Sequence, residues 1–228
     1  MMLTPSEWSA LRVSLVVAAG ALALAYPPGL LMGWLLARRR FPGRLLVEII
    51  VFLPLVLPPI ITGFFLLVLF GRHGVLGAPL LRWTGIDIVF TIKGMALASA
   101  AVAFPLVVRS VRASIESVDA KLEQAAATLG YRPARVFWTV TVPLAWPGLL
   151  AGAILGFARA VGEFGATRIV ALNMDGSRTL ALEAFQLLET PGTPMSAILR
   201  IAAISIVLSA TALALCELLA RRWKAAMP

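Results

Sequence analysis

An all-α integral membrane protein with about five to six transmembrane helices is the fold class this sequence predicts. Three observations carry that prediction. Of 228 residues, 60% are hydrophobic and 14% charged, against roughly 25% charged in a soluble domain, so ionic surface is too scarce to cover a water-facing globule. The mean hydropathy is +0.93, with the apolar residues gathered in long uncharged runs. Arginine clusters separate those runs, as the positive-inside rule asks of cytoplasmic loops. At roughly 20 apolar residues per crossing, the spans use up most of the chain and leave a single membrane domain over residues 1–228.

The first run, Val13 to Ala37, lies between Arg12 and Arg38-Arg39-Arg40. Arg12, the apolar stretch and Ala23-Leu24-Ala25 mimic a secretory leader. The run nevertheless continues past Pro27-Pro28-Gly29 to the arginine stop, which favours a retained span over 13–37, kinked at its prolines. The second span, 49–71, passes through Leu53-Pro54-Leu55-Val56-Leu57-Pro58-Pro59 and is expected to be locally broken or bent. Residues 72–93, with His73, Trp83 and Asp87, read as an external loop carrying interfacial aromatics. The third span, 88–109, reaches adequate length by using Ile88 to Lys93 and a snorkelling Arg109 as its ends.

The segment 110–137 is the large inside loop. In the fourth span, 138–160, Gly148, Gly152 and Gly156 recur every four residues and share one helix stripe, where a second helix can approach closely. Ordinary helix packing accounts for that stripe better than a dedicated dimer seam. Thr179 to Leu188 has a helical pattern too short to cross, carries Glu183, and reads as an external or re-entrant helix. The fifth span is 195–220.

The loops assigned inside hold four basic residues (Arg38, Arg39, Arg40, Arg44), five (Arg109, Arg112, Lys121, Arg132, Arg135) and three (Arg221, Arg222, Lys224), twelve of the 20 in the chain. This places the N-terminus outside and the C-terminus inside. The formal charge of +9 therefore reads as topology, and no nucleic-acid partner is expected. Cys216 is the only cysteine and His73 the only histidine, so neither a disulfide nor a metal cluster is expected. No phosphate-binding Gly-x-x-x-x-Gly-Lys-Ser/Thr loop, Gly-x-Ser-x-Gly elbow or His-Glu-x-x-His helix occurs. A non-catalytic conduit energised by another subunit fits better than an enzyme.

Within the inside loop, Asp119 to Leu129 has high helix propensity, an acceptable N-cap in Asp119 and a stop in Gly130. Its alanines allow it to lie flush against a partner, with Leu122 and Leu129 available for burial. A solvated connector helix on the membrane is the plainer alternative. Gln124-Ala125-Ala126, three residues, Gly130, nine residues, then Val140-Thr141-Val142-Pro143 resembles the EAA signature of ABC importer permeases. Gln124 stands where glutamate is usual, with Glu123 just before it, and two valines replace isoleucine and leucine.

The resemblance extends to Phe41-Pro42-Gly43, Phe104-Pro105-Leu106-Val107-Val108-Arg109 and Gly162-Glu163-Phe164-Gly165-Ala166-Thr167, which look like the molybdate permeases of the oxyanion branch; the Gly-Glu-Phe-Gly-Ala segment is shared with sulfate permeases. It implies the type I importer permease fold, a homodimer around a central path, two cytoplasmic ATPase subunits that bind ATP and Mg, a periplasmic oxyanion-binding protein and residence in the bacterial inner membrane. No cofactor is implied in this chain itself. The family's docking role falls by this resemblance on Glu123, Gln124, Ala125, Ala126 and Gly130, with Pro143 marking the start of the next span. Arg159 and Glu163, one helical turn apart, are expected to face the interior or each other, since intramembrane ions are costly. With Phe164 they either shape the external mouth or gate of the anion path or form a structural ion pair. An autonomous channel or secondary transporter remains the alternative class, although no paired half-repeat is visible.

Overall fold

The computed structural model describes residues 4–172 and 177–226, without the side chains of residues 216, 219, 220 and 222–226. Its described residues form helices and connecting turns, with no strand among them. The first helix, α1, runs Pro5–Arg38. A reciprocal cap starts it: the Glu7 N–H donates to Thr4 Oγ1 at 3.3 Å, and the Thr4 N–H donates to Glu7 Oε2 at 2.7 Å. It continues as one helix through Pro27 and Pro28.

The expected second span is two helices, α2 (Arg44–Val56) and α3 (Pro59–Phe70), which meet at 115°. Pro58 and Pro59 supply no N–H, and a residue before proline is pushed out of the helical region. Leu57 is accordingly extended, at ψ 140°. The 72–93 segment holds a short helix, α4 (Gly77–Thr84), where a loop was expected, and Arg72 and Asp87 pair across it at 2.7 Å.

The third long helix, α5, spans Ile92–Glu116, starting later and ending further on than the 88–109 expected. Thr91 caps it, accepting from the Gly94 N–H at 3.3 Å, which leaves residues 88–91 outside the helix. Its far end persists because charge does not terminate a helix: Arg112 and Glu116 pair one turn apart at 2.8 Å. Arg112 also reaches Glu48 on α2 at 3.1 Å, and Glu48 holds Arg44 at 2.9 Å. The inside loop therefore begins near Ser117, and 110–116 belong to α5.

Two short helices follow, α6 (Ala120–Thr128) and α7 (Pro133–Val136), with Gly130 at φ +86° between them. From α7 the chain passes without a break through a π-helical turn, Phe137–Thr141, into α8 (Val142–Val161). The π turn absorbs one extra residue just ahead of Pro143, whose ring forbids the ordinary backbone bond there; the Val142 N–H instead reaches back to Phe137 O. The fourth apolar helix is thus already under way at Pro133, earlier than the 138 expected. Short α9 (Gly165–Val170), α10 (Leu180–Glu189) and long α11 (Met195–Ala226) complete the chain. Among the described residues, four helices are long and apolar enough to cross a membrane, and the bent α2/α3 pair makes up to five.

The core is built around α5, which packs between α1 and α8. Its Val107, Val108 and Val111 are fully buried. Glycines on both neighbours make room for them: a β-carbon on Gly33 of α1 would stand 2.5 Å from a Val111 methyl. On α8, Gly148 faces Ser114, Gly152 faces Ser110, and Gly156 faces Val107. The glycine stripe is therefore an intrachain helix seam. Ser110 fastens it, donating to Gly148 O at 3.2 Å. The substitution Gly33→Ala should destabilise the folded chain by about 1–3 kcal/mol, the cost of overpacking a filled core. Gly162→Ala, whose β-carbon would meet nothing closer than 3.8 Å at an ordinary backbone φ of −84°, should change stability by less than about 0.5 kcal/mol. Thermal unfolding of both variants in one detergent measures the difference.

Candidate functional site

Two polar constellations hang on the opposite ends of the helix that begins at Val142. With 20 residues in α8, they are separated along it by about 30 Å at 1.5 Å per residue, the thickness of a hydrocarbon core.

At the N-terminal end of α8 the signature loop folds as α6, a turn and α7. Asp119 starts α6 by accepting from the Lys121 N–H at 2.9 Å. Glu123 turns inward: its carboxylate lies 3.0 Å from Arg38 Nε, and Thr141 Oγ1 donates to it at 2.6 Å. The same Arg38 donates to Val118 O at 2.9 Å. One arginine at the end of α1 thus ties down both the beginning of the loop and its helix, and the hydroxyl comes from the π turn. Ala126 is buried, whereas Gln124, Ala125 and Gly130 are exposed. Leu122 and Leu129 are 49% and 78% exposed, an apolar surface that the described residues leave open. Pro143 sits in the first turn of α8.

At the C-terminal end of α8, Arg159 and Glu163 form an ion pair at 2.7 Å, with the Glu163 side chain 1% exposed and that of Arg159 31% exposed. The other Glu163 oxygen accepts from the Ala166 N–H at 2.8 Å. Both carboxylate oxygens are therefore committed within the protein. Arg159 carries five N–H donors in a planar fork and retains unused ones toward solvent. Phe164 leaves this pair and packs on Phe185 of α10, with ring centroids 5.1 Å apart. Arg168 lies over the same Phe185 ring at 3.9 Å.

A polar cavity of about 230 Å³ adjoins that stack and is lined by Arg168, Ser177, Arg178, Gln186 and Glu189 among others. Sequence reasoning missed this group. Arg168 follows Phe164 by one helical turn, but its meeting with Phe185 depends on how α10 folds back. The Arg38–Glu123 pair was missed for the same reason: the two residues are 85 positions apart, and nothing local marks either as the other's partner.

The sequence matches, over residues 29–225, the family model of the binding-protein-dependent transport system inner membrane component. It is 46% identical over 222 residues to the molybdenum transport system permease protein ModB of Escherichia coli K12, covering 97% of this chain and 96% of that one. The ModB protein of Haemophilus influenzae is also 46% identical, over 95% of this chain and 94% of its own. The sulfate transport system permease protein CysW of a Synechocystis strain is 36% identical over 94% of this chain and 77% of its own. Among solved structures, an inward-facing MetNI methionine ABC transporter superposes with a TM-score of 0.72 at 19% identity, covering 97% of this chain and 99% of that one. A bacterial ABC transporter that imports alginate gives 0.75 at 15%, over 96% and 80%. The chain belongs to the binding-protein-dependent transport system inner membrane component family, and its fold is that of the type I ABC importer permeases.

Proposed function

We propose that this chain is the membrane-spanning subunit of an ATP-driven importer that passes molybdate into the cytoplasm. The observation that carries the substrate is the 46% identity to the ModB permeases across nearly the full length of both chains, against 36% for a sulfate permease that this chain matches over 77% of its length. The subunit works as a homodimer in the inner membrane, with a periplasmic oxyanion-binding protein outside and two ATPase subunits, which hold ATP and Mg, inside. The N-terminus faces out and the C-terminus faces in, because the arginine-rich loops hold back on the cytoplasmic side.

The coupling helix is α6. Its exposed Leu122, Gln124, Ala125 and Leu129 meet the ATPase, while Glu123 and Ala126 face inward and fix the helix to its own subunit. Closure of the ATPase pair moves α6, and the Arg38 and Thr141 contacts pass that displacement to α1 and α8. At the other end Arg159 presents free donors at the outer mouth of the path. A tight anion cradle is not wanted there, since a conduit must release what it admits.

Reconstituted with its ATPase and binding protein, the chain should take up radiolabelled molybdate only with ATP present. Molybdate uptake abolished by a large excess of sulfate would move the assignment to the sulfate branch. Arg38→Glu or Glu123→Arg alone should weaken coupling by about 1.5–3 kcal/mol, the worth of hydrogen bonds to charged groups, read as ATPase activity that no longer responds to loaded binding protein. The double exchange should recover most of that response. Glu163→Ala, which leaves the buried Ala166 N–H without its acceptor and the part-exposed Arg159 without its counter-ion, should cost about 1–3 kcal/mol of stability, seen as a lowered unfolding temperature. Arg159→Lys, which keeps a cation beside the buried Glu163 carboxylate but loses the planar fork, should leave assembly intact and lower uptake; normal uptake would remove the Arg159 fork from the path.

A further inference from the structure

Beside the coupling helix lies a cleft with two chemically different limbs. The deeper limb, about 390 Å³, is walled by Pro27, Leu30, Leu31 and Trp34 of α1 and by Phe137 and Trp138 of the π turn, with no charged residue in its lining. The outer limb, about 530 Å³, includes Arg38, Arg39, Glu123 and Tyr131. Trp34, Pro133 and Phe137 line both, so the two limbs adjoin at those side chains. From Pro27 to Arg38 the groove follows about 16 Å of α1 at 1.5 Å per residue, close to half of a hydrocarbon core about 30 Å thick. Its apolar limb, Pro27 to Trp34, takes up about 10 Å of that length, within one leaflet, and its arginines follow at the polar end.

The charges at the outer limb do not cancel. Glu123 is taken by Arg38 at 3.0 Å. Arg39, at 5.8 Å from the Trp34 ring centroid, has no carboxylate partner among the described residues, and Arg135, over the Tyr131 ring at 4.6 Å, has none either. Arg39 stacks on the tryptophan that joins the two limbs, so unneutralised positive charge sits where the apolar channel opens to water. A ligand that fits carries an acyl chain on one end and net negative charge on the other.

We propose that this groove is a binding site for one anionic glycerophospholipid per chain, with its acyl chain against Leu31 and Trp138 and its phosphate group at Arg39. The lipid would wedge α1 against the π turn that carries Thr141, and so bias the seat of the coupling helix. This goes beyond the transport assignment and does not depend on the substrate.

The test uses the full chain, purified in detergent and exposed to phosphatidylglycerol or phosphatidylcholine with identical acyl chains, with bound lipid counted by native mass spectrometry. One phosphatidylglycerol per chain should be retained, in preference to phosphatidylcholine. Arg39→Gln should reduce the preference about fivefold, the worth of one basic residue near an anionic surface. Leu31→Trp, which fills the apolar limb, should reduce retention of both lipids. Arg72→Gln, on an exposed arginine paired with Asp87, should change neither. Equal retention of the two lipids, or an unchanged preference in Arg39→Gln, overturns the proposal. So does a crosslink from Trp138 of one chain to a second copy seated in the groove. Variants that elute at the wild-type position on size exclusion establish that a lost lipid is not lost folding, and molybdate uptake by the wild type is read separately, so that failure of one assignment leaves the other standing.

Discussion

Val107 is squeezed from two sides, and the placement of both functional ends follows from it. A β-carbon on Gly29 of α1 would lie 2.7 Å from one of its methyls, and a β-carbon on Gly156 of α8 would lie 2.7 Å from the other. Two helices therefore close on the same residue of α5, and only glycine permits it. In a bilayer no hydrophobic force drives helix against helix, because lipid is as apolar as leucine; association rests on close packing and on interhelical hydrogen bonds. The α8 seam supplies both, with glycine opposite serine along two turns and Ser110 bonded to the Gly148 carbonyl. Tyr26 adds a bond from α1 to the Leu149 carbonyl at 2.8 Å. Since Glu163 and Thr141 are mounted at the two ends of α8, the lock at its middle sets where both can reach.

The runs of apolar residues made the spans legible, because crossing a membrane demands a stretch of helix that no other structure satisfies. The glycine stripe was legible as a packing seam for a similar reason: its period is that of the helix itself. The ends of elements were less so. Helix α5 outruns its apolar run because Arg112 and Glu116 are good helix residues with each other for support, and hydropathy is blind to that. The second span breaks at Pro58 and Pro59 rather than bending at Pro54, which stays inside α2. In sequence all three prolines look alike; only Leu57, trapped ahead of two rings, has no helical option. The sites were half visible. The signature segment announced a short helix in the loop, but which of its residues face outward depends on Arg38 and Thr141, and those come from elements far away in the chain.

In the docking role proposed for α6, a helix that presents an apolar face has to be held by its other face, and the holding residue is Glu123, the acid next to the signature position. Glu123 is only about one-fifth exposed, so its charge is sheltered enough to matter and still reachable by solvent. An uncompensated carboxylate there would be costly, and Arg38 with the Thr141 hydroxyl removes that cost. The neighbouring Gln124 then has no need of a charge. The departure from the usual signature residue and the inward turn of Glu123 are in this respect one arrangement: the acid is displaced by one residue, which on a helix rotates it by about 100° from the docking face to the inner face.

At the other end of α8, under the role proposed for Arg159, the same economy serves the opposite purpose. An arginine without a counter-ion at the edge of the bilayer would bind an oxyanion strongly and hold it. Glu163 claims part of the Arg159 fork, and the Ala166 N–H fixes the carboxylate beside it. What faces outward is a guanidinium with its charge offset and some donors free, able to greet an anion without trapping it. Selectivity is then better placed in a partner that binds substrate in water, where tight binding does not obstruct release, and a membrane subunit of this size can consist almost wholly of helices that pack and move.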